Sequence, residues 1–261
     1  MANFCLIIQY DGTRYKGWQR QGNTHDTIQE KLESILEQLY GEPIELNGAG
    51  RTDGGVHALH QVANYRVPRI LSRYSCQEIR DTLNDYLPQD IRVLAVEKVA
   101  ERFHARLSAL GKLYEYRIDC GEVARVFDRR YLLRVEEPLN LQRMQEAAAL
   151  LTGTHDFKSF CSNQHMKKST VRTIYSITFE QEDGILCIRY HGDGFLYHMV
   201  RILTGTLLEI GLGDLLPSQI PYILEGLDRS LAGPTAPPQG LFLVDVFYGE
   251  NSSQDDPGQE S

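Results

Sequence analysis

Apolar and polar positions along the chain switch between two periods, and the switches divide it into elements. Phe4 to Tyr10 is an apolar strand. Beyond a loop around Trp18, Ile28, Leu32, Ile35, Leu36 and Leu39 recur at helical spacing and predict a helix from about Thr27. Thr27-Ile28-Gln29-Glu30 reads as its capping box and Gly41 as its end. His60 to Val67 then predicts a strand, Ser75-Cys76-Gln77-Glu78 caps a second helix closed by Pro88, and Ile91 to Val99 alternates as a strand.

From near Phe103 a similar order follows. Leu113 to Ile118 predicts a strand, and Asn140 caps a helix from Leu141 to Leu151 that Gly153 stops. Thr173 to Glu180 and Ile185 to Tyr190 alternate around Glu182-Asp183-Gly184, a hairpin signal. Phe195 to Ile210 predicts a buried helix, Ser218 to Leu227 another, and Leu241 to Tyr248 a last strand. Strands, hairpins and helices in this order predict an α+β chain with largely antiparallel sheets. No low-complexity linker interrupts it, so two similar halves, 1–102 and 103–248, are expected to meet at a tight boundary. Residues 249–261 form an acidic tail expected to be disordered.

Composition narrows the class. The 261 residues are 42% hydrophobic, enough for two cored modules. No apolar run approaches a membrane span, and Met1 to Tyr10 has no basic n-region, so a cytoplasmic protein without membrane attachment is expected. Five scattered cysteines, an odd number, read as reduced thiols. The net charge of -8 speaks against a nucleic-acid partner, but Glu250, Asp255, Asp256 and Glu260 account for half of it. Elsewhere the basic residues cluster: Arg66, Arg69 and Arg73; Arg125, Arg129, Arg130 and Arg134; Lys158, Lys167, Lys168 and Arg172. Each cluster alone is equally well an ordinary solvated face; three together suit a surface that tracks a nucleic-acid backbone, which requires a basic face and not a basic total.

The most reactive-looking stretch is Asn47-Gly48-Ala49-Gly50-Arg51-Thr52-Asp53-Gly54-Gly55-Val56-His57-Ala58. Glycines flank Asp53 on both sides, which admits close backbone approach at an entropic cost that a plain connector need not incur. The competing reading is a tight turn in which Asp53 caps its own backbone. A dinucleotide fingerprint would require glycine at Asp53, no Gly-Lys-Ser/Thr ends a glycine cluster, and Gly-x-Ser-x-Gly, His-Glu-x-x-His and Cys-x-x-Cys are all absent. What remains is an aspartate that acts itself, as nucleophile or general base.

The stretch Gly48 to Ala58 resembles the active-site signature of the tRNA pseudouridine synthase A (TruA) family. The resemblance extends in order to Tyr10-Asp11-Gly12-Thr13 and Gly17-Trp18-Gln19, to Asn84 through Pro88, and to Phe103-His104-Ala105-Arg106 with Lys112-Leu113-Tyr114-Glu115-Tyr116. It continues to Phe195 through Arg201 and to Gly240-Leu241-Phe242-Leu243, so it covers nearly the whole chain. Two positions depart from it. Gly54 replaces the usual Ala and loosens the loop; His60 stands where Gly is common and adds bulk.

The resemblance implies a pseudouridine synthase fold with the active site in a central cleft between two halves. It implies isomerisation of uridine in the anticodon stem-loop of tRNA, at positions 38, 39 and 40, without metal or other cofactor and by a homodimer. Asp53 is the implied nucleophile, Arg201 its ion-pair partner, Tyr114 the residue against the target base, and Arg51 the side chain that holds the extruded nucleotide. Taken alone, Tyr114 and Tyr116 alternate like strand-core residues; the family position singles out Tyr114. His57 and His60 have zinc-compatible spacing but no third ligand nearby. His198 is expected to pack beneath Arg201 and His104 to make a strand-end polar contact. Trp18 and Tyr15 are either RNA contacts or core. Two rival functions are a non-catalytic RNA-binding module and a phosphatase built on Asp11-Gly12-Thr13, the latter weakened by Gln9 at the nucleophile position.

Overall fold

The computed structural model describes residues 1–249, so the expected tail lies outside the described residues from position 250 onward. Its chain forms two compact units, one of residues 1–110 with the last strand from Leu243, the other Gly111–Phe242.

The first unit contains β1 (Ala2–Tyr10), α1 (Ile28–Tyr40), β2 (Asn47–Gly48), β3 (His57–Val67), α2 (Cys76–Tyr86) and β4 (Ile91–Val99). β1 is central and pairs antiparallel with both β3 and β4. Phe4, Leu6, Ile8 and Tyr10 alternate into the core while Gln9 is exposed, as a period of two requires. α2 packs on β4 and meets α1, whose Ile28, Leu32 and Leu36 are fully buried. The Ser75 box closes reciprocally: Ser75 N–H donates to Glu78 (2.7 Å) and Glu78 N–H to Ser75 Oγ (3.2 Å). The Thr27 box closes on one side only. Thr27 Oγ1 accepts the Glu30 N–H, but the Glu30 carboxylate turns to Arg20 Nε (2.6 Å), because a cation outcompetes a neutral amide for it.

The second unit contains most of β5 (Ala109–Asp119), then β6 (Leu133–Arg134), α3 (Leu141–Leu151), β7 (Gly153–Asp156), β8 (Val171–Glu182), β9 (Ile185–Gly192), α4 (Met199–Leu212) and α5 (Ile220–Gly226). Its strands run in the order β5-β9-β8-β7, antiparallel throughout, with β6 parallel to β5. Asp183 and Gly184 both take positive φ (48° and 76°), the two-residue turn that the hairpin signal asked for. Two helices differ from expectation. α4 starts at Met199, four residues late, because His198 sits in the left-handed region (φ 63°) and breaks the ladder. Ser218 to Leu227 divides into a 3-10 turn (Pro217–Gln219) and α5, since Pro217 and Pro221 each fit only a first turn. The final strand, β10 (Leu241–Tyr248), neighbours β3 in the first unit. No helix among the described residues is long and apolar enough to cross a membrane.

Candidate active site

The loop from β2 to β3 carries Arg51, exposed, and Asp53, half-buried. Its backbone is held at four points. The Thr52 carbonyl accepts the Trp18 N–H (3.0 Å), the Tyr15 carbonyl accepts the Gly55 N–H (3.3 Å), and the Val62 carbonyl accepts the Ala49 N–H (2.7 Å). Val56 N–H donates to the Asp53 carbonyl (3.1 Å) and closes the turn. These approaches exclude side chains. At Gly17 φ is +99°, and a Cβ would lie 2.6 Å from the Thr52 carbonyl oxygen; at Gly48 a Cβ would lie 2.5 Å from the Trp18 indole nitrogen. Gly54 differs, because a Cβ there meets the Tyr15 carbonyl oxygen at an ordinary 3.4 Å.

Below the loop lies a buried polar group. The hydroxyls of Tyr10 and Thr52 are hydrogen-bonded at 2.7 Å, and Gln61 Nε2 donates to the Gly50 carbonyl (2.8 Å) and, at 3.5 Å, to the Tyr10 hydroxyl. Burial pushes the Tyr10 phenol up to about 12, so it remains neutral at physiological pH. Gln61 is fully buried, and its Oε1 has no hydrogen-bond partner. An orphaned acceptor costs on the order of 1–3 kcal/mol.

Trp18 and Tyr15 resolve to core, 1% and 5% exposed. Asp11 caps its own turn, accepting from Thr13 N–H (2.9 Å) and Thr13 Oγ1 (2.5 Å), with His57 Nδ1 at 3.1 Å. A carboxylate so engaged is a structural cap, which removes support from the phosphatase reading. His57 is buried and His60 exposed, so the two imidazoles do not converge, and the bulk of His60 projects away from the interior. His104 does make local polar contacts: its Nδ1 accepts the Arg106 N–H (3.2 Å).

In the second unit Tyr114 lies on β5, opposite Tyr190 of β9, with its ring edge-on to Phe195 (centroids 5.2 Å apart). Tyr116 is buried too, and its hydroxyl donates to the Pro237 carbonyl (2.7 Å). Burial raises its pKa, and the charge of Arg201 opposes that rise. Arg201, half-buried on α4, donates from Nε to the Ala236 carbonyl (2.7 Å) and accepts the Ala236 N–H on its own carbonyl (3.0 Å). The backbone of residue 236 thus orients the Arg201 guanidinium. Arg51 and Asp53 thus share one loop in the first unit, and Arg201 and Tyr116 share a neighbourhood in the second.

Sequence reasoning passed over Tyr10 and Gln61, whose strand positions look like plain alternation. It also gave no sign that His198 adopts positive φ, with Tyr197 exposed and stacked on it (3.8 Å) and Ser162 Oγ bonded to its Nδ1 (2.9 Å). Only the letter His at a left-handed position could have hinted at strain, and no periodicity reveals backbone φ.

A family profile described as tRNA pseudouridine synthase matches residues 6–107 and 147–249. A "tRNA pseudouridine synthase A" of Bacillus sp. (strain KSM-64) is 46% identical over 248 residues, which is 95% of this chain and 100% of that protein. A "tRNA pseudouridine synthase A 2" of Bacillus cereus (strain ZK / E33L) is 45% identical and a "tRNA pseudouridine synthase A" of Thermoanaerobacter sp. (strain X514) 42% identical, each over the same shares. Among solved structures, a Cbf5-Nop10-Gar1 complex aligns with 95% of this chain and 50% of its own at 13% identity and a TM-score of 0.37, too low to bear on the fold. The profile covers most of the chain and the relatives align over their full length: the chain belongs to the TruA family of tRNA pseudouridine synthases, which are isomerases.

Proposed function

We propose that this chain isomerises uridine to pseudouridine in the anticodon stem-loop of tRNA, at positions 38, 39 and 40, with Asp53 as the reacting carboxylate. The reaction breaks the C1′–N1 bond, rotates the base, joins C1′ to C5, releases the C5 proton and takes up a proton on N1. A single ionised carboxylate serves it by adding to C6, attacking C1′ or taking a sugar proton. The observation that carries the reading is the half-buried Asp53 on a loop whose backbone is fixed at residues 49, 52, 53 and 55. Such fixing holds a nucleophile in reacting geometry.

In this reading Arg201 pairs with Asp53, and Tyr114 packs against the uracil. Arg51 holds the nucleotide extruded from its helix, since an enzyme that works on a stacked base must first unstack it. The protein acts in the cytoplasm, consistent with five free cysteines, and as a homodimer, for which the exposed Val123, Val126 and Phe127 offer apolar surface.

The test is tritium release from tRNA labelled at uracil C5. Asp53→Asn and Asp53→Ala should abolish release and keep tRNA affinity within roughly tenfold, because they remove a reacting group and few phosphate contacts. Turnover retained in Asp53→Asn would refute the assignment. Binding by the unsubstituted chain with no release at all would instead favour a non-catalytic RNA-binding module.

A further inference from the structure

The loop's own residues do little to fix it: three of the residues between 50 and 55 are glycines. Beyond the backbone bonds to Trp18, Tyr15, Val62 and Val56, side chains hold the neighbours of Arg51 and Asp53 from beneath. Gln61 grips the carbonyl of Gly50, just before Arg51, and Tyr10 grips the hydroxyl of Thr52, just before Asp53. The two anchors lie within 3.5 Å of each other through Gln61 Nε2 and the Tyr10 hydroxyl, so they move as one group. The strands are built to bring them there. Ile8 pairs with Gln61 but Tyr10 pairs with Ala58, so three steps of β3 face two of β1, a bulge that re-aims side chains beside the loop.

We propose that Tyr10, Thr52 and Gln61 form a buried positioning unit for the catalytic loop, retained for placement of Arg51 and Asp53 at the expense of stability. It rests on the reading of Asp53 as the reacting group. The orphaned Oε1 of Gln61 separates this role from plain packing. A side chain kept for stability alone would be apolar at a fully buried position, since an unpaired amide oxygen there opposes folding. Gln61 keeps the amide because its nitrogen is needed at Gly50.

The experiment compares Gln61→Leu, Tyr10→Phe, Thr52→Val and Thr52→Ser with the unsubstituted full chain, and runs Asp53→Asn in parallel. It reads melting temperature, tRNA dissociation constant and single-turnover rate. Gln61→Leu is expected to melt at or above the original temperature, to bind tRNA within about threefold, and to turn over about 10- to 100-fold more slowly, the range that follows from a reacting group misplaced by an ångström or less. Tyr10→Phe and Thr52→Val should lose rate in the same way, and Thr52→Ser, which keeps the hydroxyl, should recover most of it. Unchanged rates in Gln61→Leu and Tyr10→Phe would overturn the proposal. So would rate losses that only follow lowered melting temperature and weakened tRNA binding, the mark of a structural role. An active Asp53→Asn would remove the reading on which the unit rests, and a silent Asp53→Asn beside fully active network variants would remove the unit alone.

Discussion

Gly48, at the end of β2, and Gly54, in the loop that follows, sit six residues apart and answer to different physics. A Cβ at 48 drives into the rigid, fully buried indole of Trp18, so Gly48→Ala is expected to cost about 1–3 kcal/mol in urea denaturation. A Cβ at 54 meets only ordinary contacts, and Gly54 is not among the residues with positive φ. Gly54→Ala should therefore raise stability by about 0.4–1 kcal/mol through the unfolded chain, a change the same titration resolves. The glycine spacing made the loop legible in the sequence, but not which glycine was a steric necessity. The two arginines also separate at this scale. If Arg201 supports the carboxylate, Arg201→Met slows single turnover equally on anticodon arms with the target uridine paired or mismatched. If Arg51 holds the extruded nucleotide, Arg51→Ala suffers most on the paired target, where unpairing costs on the order of a few kcal/mol, and recovers on the mismatch. Equal rate ratios for both variants on both arms would end that division.

The β5–β9 ladder sets Glu115 directly opposite Arg189, with Arg189 Nε at 2.6 Å and Arg117 Nε at 2.7 Å from its carboxylate. Burial alone would raise the Glu115 pKa, but hydrogen bonds and charge from Arg117 and Arg189 outweigh it and hold the carboxyl below its usual value. A depressed folded pKa adds stability that is present above the unfolded value, about 4.3, and is lost as pH falls through the folded one. Melting temperature should fall between neutral pH and pH values below about 4, and Glu115→Gln should lower it at pH 7 while flattening that part of the acid dependence. An unchanged acid slope in Glu115→Gln would show that other carboxylates carry it. Most elements were readable from period and punctuation: α3 and β10 occupy the expected residues, Asn140 caps α3 through the Arg143 N–H, and β4 runs over Ile91–Val99 as alternation predicted. The elements that shifted did so where backbone conformation decides. His198 at positive φ delays α4, and two prolines split the segment before and through α5.

Across the whole molecule, an RNA partner would meet the places where the cations sit and not the total charge. Arg66, Arg69, Arg73, Arg129, Lys158, Lys167 and Lys168 are exposed, whereas Arg134 is half-buried and tied to Asp119 (3.3 Å). An acidic chain can therefore still present basic faces to RNA. Lys167→Glu with Lys168→Glu should weaken tRNA binding at low salt and shallow the slope of log K against log salt by about one to two, as lost phosphate contacts do. A parallel slope would place those lysines away from the RNA. The sequence by itself determined the α+β class, most of the element order, and the loop in which Asp53 stands, because period, caps and glycine punctuation act over a few neighbouring residues. Only the tertiary structure decided that Trp18 and Tyr15 are core, that Asp11 caps its own turn, that Arg201 is aimed by the backbone at 236, and that Tyr10 and Gln61 lie under Gly50 and Thr52. Apart from the Asp11 cap, which spans two residues, these hydrogen bonds join residues 11 to 51 apart. No local pattern records them, since Tyr10 and Gln61 meet only once β1 and β3 have paired and the bulge has set their register.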